Sequence, residues 1–353
     1  MKKTIFLLPK EKNPTTGGQQ YDIHFTQVIK QIDSSVEVVT DDKLAWNSRI
    51  SFLYNFIYLF KLKTFRNADL IITNSRLYPR LFFFLSILKF LNTKTKLICI
   101  HHHYNFLTHS GVKRSLNKYF EIKFLKMFSG IIIPSRYVKT LTENLLDNPK
   151  IYLLEIGFDK KPRKYENKTS INKLLYVGTI EKRKGIHLLL EALKEVREEY
   201  ELNLIGGYKP DNDYYLSLLG LLKDNNLKGK VFFRGRVSNE ELRNYYMQSS
   251  VFVFPSLHEG YGMVIIEAMS YGLPVIAFNN SAIPYLVKDN YNGLLAENQN
   301  FSEMQVLLNK ILKDTQLLNN LKENALRTFN EVKSSEDLVK DIKIFYEKIF
   351  YEN

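Results

Sequence analysis

The chain predicts an α/β protein made of two successive Rossmann-like halves, each a parallel sheet wrapped by helices. Three observations carry this. At 353 residues the chain is too long for one ordinary core. Apolar runs of strand length alternate with helical patterns from end to end, as βαβ units do. The alternation breaks once, at 159–168, where DKKPRKYENK is polar, contains proline and has no apolar period, as a linker would.

The elements follow in order. In the first half the strand-length runs are 4–8, 36–40, 70–73, 97–100, 130–134 and 151–156, with helical stretches between them. After the linker the pattern restarts. Residues 173–178 read as a strand, followed by a helix to Val196, a strand at 201–206, a helix to Asn225 and a strand at 231–234. A helix at 239–249, capped by Ser238 or Asn239, precedes the strand 251–254. A helix at 263–271, ended by Gly272 and Pro274, precedes strands at 274–277 and 293–295. From about 301 the tail is helical, with the Lys/Glu spacing of exposed faces. The predicted domains are 1–165 and 166–334. Ligands of open parallel sheets sit at the strand C-terminal edges, so the loops there are where chemistry is expected.

Composition is globular, with 45% apolar and 25% charged residues. The single cysteine, Cys99, lies in an apolar run, so no disulfide forms within the chain and a reducing compartment fits. The opening MKKTIFLLPK imitates a signal peptide, but its apolar stretch is short and reads better as a first strand. No stretch approaches the roughly 18 apolar residues of a membrane span. The net charge of +13 is unevenly placed: residues 1–165 hold 27 basic and 12 acidic groups, the remainder 23 and 25. A proteome-wide lysine bias would raise both halves, so the first half is expected to meet an anionic partner.

Residues 255–275, PSLHEGYGMVIIEAMSYGLPV, are the most informative segment. Glu259 stands on a loop after an apolar strand, and Glu267 about one turn into the next helix. Glycines between them leave backbone amides bare at a helix N-terminus, where anions are favoured. Carboxylates for hydroxyls on either side of amides for a phosphate suit a nucleotide sugar. Two glutamates eight apart mean little alone. In the context PS-x-x-EGYG-x-x-x-x-EAM-x-x-G-x-PV the segment closely resembles the E-x7-E signature of glycosyltransferase family 4, retaining enzymes of GT-B fold.

The resemblance covers nearly the whole chain. It implies two Rossmann-like domains facing a central cleft, an acceptor-binding first domain, a nucleotide-sugar-binding second domain, and a last helix near 335–353 that crosses back to the first. It places Glu259 on the donor sugar, Glu267 on the ribose, and the amides near Tyr261, Gly262, Met263 and Val264 on sugar and phosphate. Arg183 and Lys184, in the loop after the strand 174–177, would hold the leaving diphosphate without a metal. Lys184 matches the family's K-G directly. Many members carry the arginine just after an earlier glycine, where this chain has Thr179. Gly17 and Gly18, read as a loop before a helix at 21–31, lie where the family has its GG loop over the diphosphate. Val237 ends Phe233-Arg234-Gly235-Arg236-Val237, which matches the family's F-x-G-x-V segment that flanks the nucleotide base. A second departure is Tyr285, where the family commonly has glutamate after G-G-x-P, which bears on donor choice.

His101, with His102 as the alternative, ends a strand where the family has a histidine beside the reacting sugar. The run His101-His102-His103 with His109 suggests metal, but consecutive side chains diverge and no carboxylate is close, so no metal is expected. Asp211-Asn212-Asp213 imitates a D-x-D metal motif but lies in a polar loop away from the glutamates. Three segments mix basic with apolar residues, at 50–63, 80–91 and 112–128, the last with Lys113, Arg114, Lys118, Lys123 and Lys126. Such helices lie in membrane interfaces.

The expected activity is a retaining, metal-independent transfer from a UDP- or GDP-sugar to a hydroxyl of a lipid-linked glycan or other membrane-associated acceptor. Cell-surface polysaccharide or lipopolysaccharide synthesis, at the inner face of the cell membrane, is the expected setting. No cofactor beyond the co-substrate is expected. A GT-B nucleotide-sugar epimerase would lack the glutamate signature. A basic nucleic-acid-binding protein would show a reader motif, and none is present. Strict G-x-G-x-x-G is absent from both halves, against a nicotinamide or flavin enzyme.

Overall fold

Parallel strands covered by helices need apolar side chains on both faces, and the short aliphatic runs of this chain supply them. The computed structural model describes residues 3–9, 16–41, 58, 62–78, 81–91, 94–160, 172–224 and 227–351. It divides into two compact units, Met1–Asp159 with Lys333–Asn353, and Lys160–Val332.

The first unit runs β1 (Thr4–Pro9), α1 (Gly17–Ile32), β2 (Glu37–Asp41), α2 (Leu62–Arg66), β3 (Leu70–Asn74), α3 (Phe82–Leu91), β4 (Lys96–Ile100), α4 (Gly111–Leu125), β5 (Gly130–Ile133), α5 (Arg136–Leu145) and β6 (Ile151–Leu153). Its six strands are all parallel, in the order β2-β1-β3-β4-β5-β6. Ile5, Leu7, Ile71, Cys99, Ile131 and Ile133 point into one buried cluster with Phe65, Phe84 and Phe124. β6 is shorter than the expected 151–156. Its partner β5 ends at Ile133, and Pro134 has no N–H with which to continue the ladder.

α1 begins earlier than expected. Thr16 caps it, accepting from Gln19 N while Gln19 reaches back to Thr16 N. Gly17 and Gly18 therefore open the helix rather than form a loop before it. Of the segment expected to line the membrane at 50–63, and of the linker at 159–168, most lies outside the described residues.

The second unit runs β7 (Asn172–Val177), α6 (Ile186–Leu193), β8 (Tyr200–Ile205), α7 (Asp213–Asp224), β9 (Val231–Gly235), α8 (Asn239–Gln248), β10 (Val251–Phe254), α9 (Met263–Met269), β11 (Val275–Asn279), α10 (Ile283–Leu286), β12 (Gly293–Glu297), α11 (Phe301–Lys313) and α12 (Thr315–Glu331). Its sheet is also parallel, in the order β12-β11-β10-β7-β8-β9. The chain winds outward from β7 to β9, then returns to lay β10 on the other side of β7. The winding direction reverses between β7 and β10, and a crevice opens at such a switch point, beyond the strand C-termini.

The last helix, α13 (Ser335–Tyr351), belongs to the first unit and packs on α1. Phe345 meets Phe25 and Tyr152, and the Tyr346 hydroxyl bonds Thr4 Oγ1 at 3.0 Å and Asp33 Oδ2 at 2.8 Å. Among the described residues no helix is long and apolar enough to cross a membrane.

Candidate active site

Two loops meet at the switch point of the second unit. After β7, Lys182–Lys184 make one 3-10 turn that Gly185 closes at φ +67°. A β-carbon on Gly185 would lie 2.0 Å from the Pro255 carbonyl oxygen, so only glycine lets this turn seat against the loop after β10. Leu257 N donates to Arg183 O at 2.9 Å and fixes the seat.

That seat brings Lys184, Arg183 and Glu259 together across 75 residues of sequence. Lys184 Nζ lies 2.5 Å from Glu259 Oε1, and Arg183 NH1 lies 3.4 Å from the same oxygen. Ser256 Oγ donates to it at 2.7 Å. Arg183 NH1 also donates to His258 O at 2.9 Å. Lys184 rests 5.0 Å above the Phe254 ring. Glu259 and Lys184 are each only 9% exposed. Burial raises the Glu259 carboxyl, but the charges of Lys184 and Arg183 outweigh it and hold the group below the usual carboxylate range. Burial pushes the Tyr176 phenol, beside this cluster, well up, and Glu259 adds to that.

The remaining residues of the motif spread around this cluster. Gly262, at φ +94°, precedes α9, so the chain turns there in a conformation that favours glycine. Tyr261, Met263 and Val264 are half-buried at this turn. Glu267 is the fifth residue of α9, and its Oε2 accepts from the Tyr246 hydroxyl at 3.3 Å. Ser281 Oγ accepts from Glu259 N at 2.9 Å. Val237 is half-buried between β9 and α8, whose cap is Ser238, with Glu241 completing a capping box. Thr179 O accepts from the Tyr176 hydroxyl at 2.9 Å, so this departure from the family pattern contributes through its backbone. Tyr285 lies on α10 and is 47% exposed.

Sequence reasoning did not single out Ser256, Tyr246, Tyr176 or Ser281. Ser256 sits three residues before Glu259 inside the quoted motif and was the one within reach.

In the first unit, His101 and His102 follow β4. His101 Nδ1 bonds Ser75 Oγ at 2.9 Å, while its buried Nε2 makes no hydrogen bond among the described residues. Burial, then the neighbouring His103 and His102, hold its imidazole well below the usual range, so it is neutral near pH 7. His102 instead directs Nε2 to Asp22 Oδ1 at 2.7 Å. Gly18 lies against the His102 ring, where a β-carbon would come within 3.3 Å. Among the described residues no group of His, Cys, Asp and Glu is arranged to hold a metal. In the D-x-D look-alike, Asn212 Oδ1 accepts from Tyr214 N and Tyr215 N at the start of α7, which is a helix cap.

Two six-stranded parallel α/β domains of this kind define the GT-B fold, and solved GT-B structures match the chain. Sucrose-phosphate synthase from Thermosynechococcus elongatus matches with a TM-score of 0.84 over 99% of this chain and 100% of that one, at 19% identity. HepE of Anabaena, solved in complex with UDP-glucose, matches at 0.76 over 98% and 99%, at 18% identity. Residues 157–328 match the family model described as Glycosyl transferases group 1. Relatives similar to parts of the chain include proteins described as glycosyltransferases. An uncharacterized glycosyltransferase of Methanocaldococcus jannaschii is 31% identical over 62% of this chain and 59% of its own length. One of Haemophilus influenzae is 27% identical over 85% and 84%. The O-antigen chain mannosyltransferase B of Escherichia coli is 35% identical over 40% and 36%. The matched part thus spans less than two thirds of the first and third of these relatives.

Proposed function

We propose that the protein is a retaining, metal-independent glycosyltransferase acting on a nucleotide diphosphate sugar. The observation that carries this is the convergence of Lys184 and Arg183 on Glu259 at the β7/β10 switch point. A lone buried carboxylate would be costly, and two cations at one carboxylate form a preorganised receptor. When a donor enters, its β-phosphate takes up the charge of Lys184 and Arg183, and Glu259 turns to sugar hydroxyls. Glu267 takes the ribose, the backbone around Tyr261, Gly262, Met263 and Val264 takes sugar and phosphate, and the segment at Val237 flanks the base. In the first unit, Gly17 and Gly18 serve the diphosphate and His101 the sugar.

In transfer, the bond from the anomeric carbon to the diphosphate oxygen breaks and a bond to the acceptor oxygen forms on the same face. The acceptor proton passes to the leaving phosphate. The cations stabilise the charge developing there, a task each discharges to the extent of about 3 kcal/mol. The HepE complex with UDP-glucose supports a nucleotide-sugar donor, UDP- or GDP-linked in this reading. The O-antigen relative supports a glycan acceptor in cell-surface polysaccharide synthesis. A thermal-shift screen against UDP-, GDP-, ADP- and dTDP-sugars tests the donor: at about 100-fold excess over Kd the stabilisation is roughly 2.7 kcal/mol. Transfer that proceeds in EDTA and yields a product keeping the donor's anomeric configuration is expected. An inverted product, or no response to any of the four donors, overturns the reading.

The acceptor in this reading is lipid-linked, at the inner face of the cell membrane, and the first unit meets the anionic surface. From 70 to 120 the chain has eight basic residues and no acidic one. α3 leaves Phe83 and Phe90 exposed, α4 leaves Val112, Leu116 and Tyr119 exposed, and the rings of Phe82 and Phe120 join the two faces. Each lysine or arginine near an anionic leaflet adds about 1 kcal/mol. Flotation with vesicles rich in phosphatidylglycerol is expected for the native protein and not for K113E/R114E/K118E; equal flotation of the two removes this part.

A further inference from the structure

One carboxylate holds the first unit's strand ends together, and none of the roles assigned above uses it. Asp22, on the second turn of α1, is 3% exposed. Its Oδ1 bonds His102 Nε2 at 2.7 Å and its Oδ2 accepts from Asn74 Nδ2 at 2.6 Å. Arg76 NH2 stands 3.8 Å from Oδ2. These partners come from the ends of two adjacent strands, Asn74 closing β3 and His102 just beyond β4. Asn74 is held twice, since its Oδ1 also accepts from Arg76 N at 2.7 Å.

Between Asn74 and Arg76 lies Ser75, whose Oγ bonds His101 Nδ1. The carboxylate therefore grips both neighbours of the residue that hydrogen-bonds the His101 ring, which also packs edge-on against Tyr104 at 4.4 Å, and it grips the residue after His101 as well. With Nδ1 occupied, Nε2 is the ring atom left to address a ligand, and the tautomer follows from which way the Ser75 hydroxyl points. A carboxylate suits the place because it presents an acceptor oxygen to each bonded partner; an amide presents one, and His102 would have to take the tautomer whose Nε2 accepts.

We infer that Asp22 is a positioning residue, acting through the Asn74–Ser75–Arg76 turn and His102 to fix the orientation of His101. The inference rests on the reading of His101 as a ligand contact. Positional errors of an ångström at a reacting centre cost up to about 100-fold in rate, so the relay has a measurable effect without Asp22 touching substrate.

The test is a double-mutant cycle on transfer from the donor found by the thermal-shift screen, with each variant's melting temperature recorded. Asp22→Ala is expected to lower kcat about tenfold or more, and to lower it less than about twofold further in a His101→Ala background. Ser75→Ala removes only the hydroxyl that holds the ring and should reproduce this pattern even if Asp22→Ala folds poorly. If Asp22→Ala and Ser75→Ala act equally strongly with and without His101, Asp22 serves the fold alone and the inference falls. If His101→Ala is itself silent, the ligand-contact reading fails, and the relay fails with it.

Discussion

The two units bury their glutamates in opposite ways. In the second, Glu259 is 9% exposed and meets two cations and a hydroxyl, so its carboxyl stays below the usual range despite burial. In the first, Glu121 of α4 is 8% exposed and, among the described residues, accepts only the backbone N–H groups of Asn105 and Phe106, each at 2.9 Å. Burial wins there, and the Glu121 carboxyl is raised above its ordinary value although both amides lower it. Two amides suffice to cap a short turn, a structural duty. Two cations on Glu259 are more than a cap needs, although Arg183 NH2 also lies 3.8 Å from Glu181 Oε2, and in the proposed reaction these cations are what an incoming phosphate would meet.

The largest effect should come from breaking the charged cluster. Glu259→Ala and Lys184→Ala are each expected to cut transfer by about 1,000-fold or more while circular dichroism shows an intact fold. Near-native turnover by either would put Glu259 on the same footing as Glu121.

The pH dependence of stability sharpens the contrast, because the two groups have opposite signs. The depressed Glu259 carboxyl contributes stability that is present above the ordinary glutamate pKa and lost as pH falls through its folded value. The raised Glu121 carboxyl contributes stability that is present below the ordinary value and lost as pH rises through its folded value. Urea unfolding from pH 7 down to pH 3 should therefore show Glu121→Gln removing a gain and, at the acid end, Glu259→Gln removing a loss. The same slope in both variants would contradict the comparison.

The smallest effect belongs to the outlying glutamate. Tyr246→Phe deletes one long hydrogen bond to Glu267 and should raise the donor KM about two- to fivefold with kcat unchanged. A fall in kcat of equal size would assign Glu267 to the reacting end rather than to the ribose.

Much of the fold was legible because parallel strands buried on both faces carry uninterrupted aliphatic runs, as in 251–254 and 97–100. Glu259, Glu267 and Lys184 were legible because each lies in a short stretch whose glycines and prolines fix the local backbone. The start of α1 was misjudged because Gly17 and Gly18 are poor helix formers, and the capping box of Thr16 and Gln19 overrode that propensity. Asp22 carried no signal at all. Its partners are 52 and 80 positions away, and a single aspartate on an amphipathic helix looks like any solvated one.

The sequence by itself determined the alternation of strands and helices, the uneven charge and the local shape of the loops, since these depend on side chains within a few residues of each other. Which buried groups meet was decided only by tertiary structure. Sheet order sets β7 beside β10 and β3 beside β4, and that adjacency, not chain distance, brings Lys184 to Glu259 and Asn74 and His102 to Asp22.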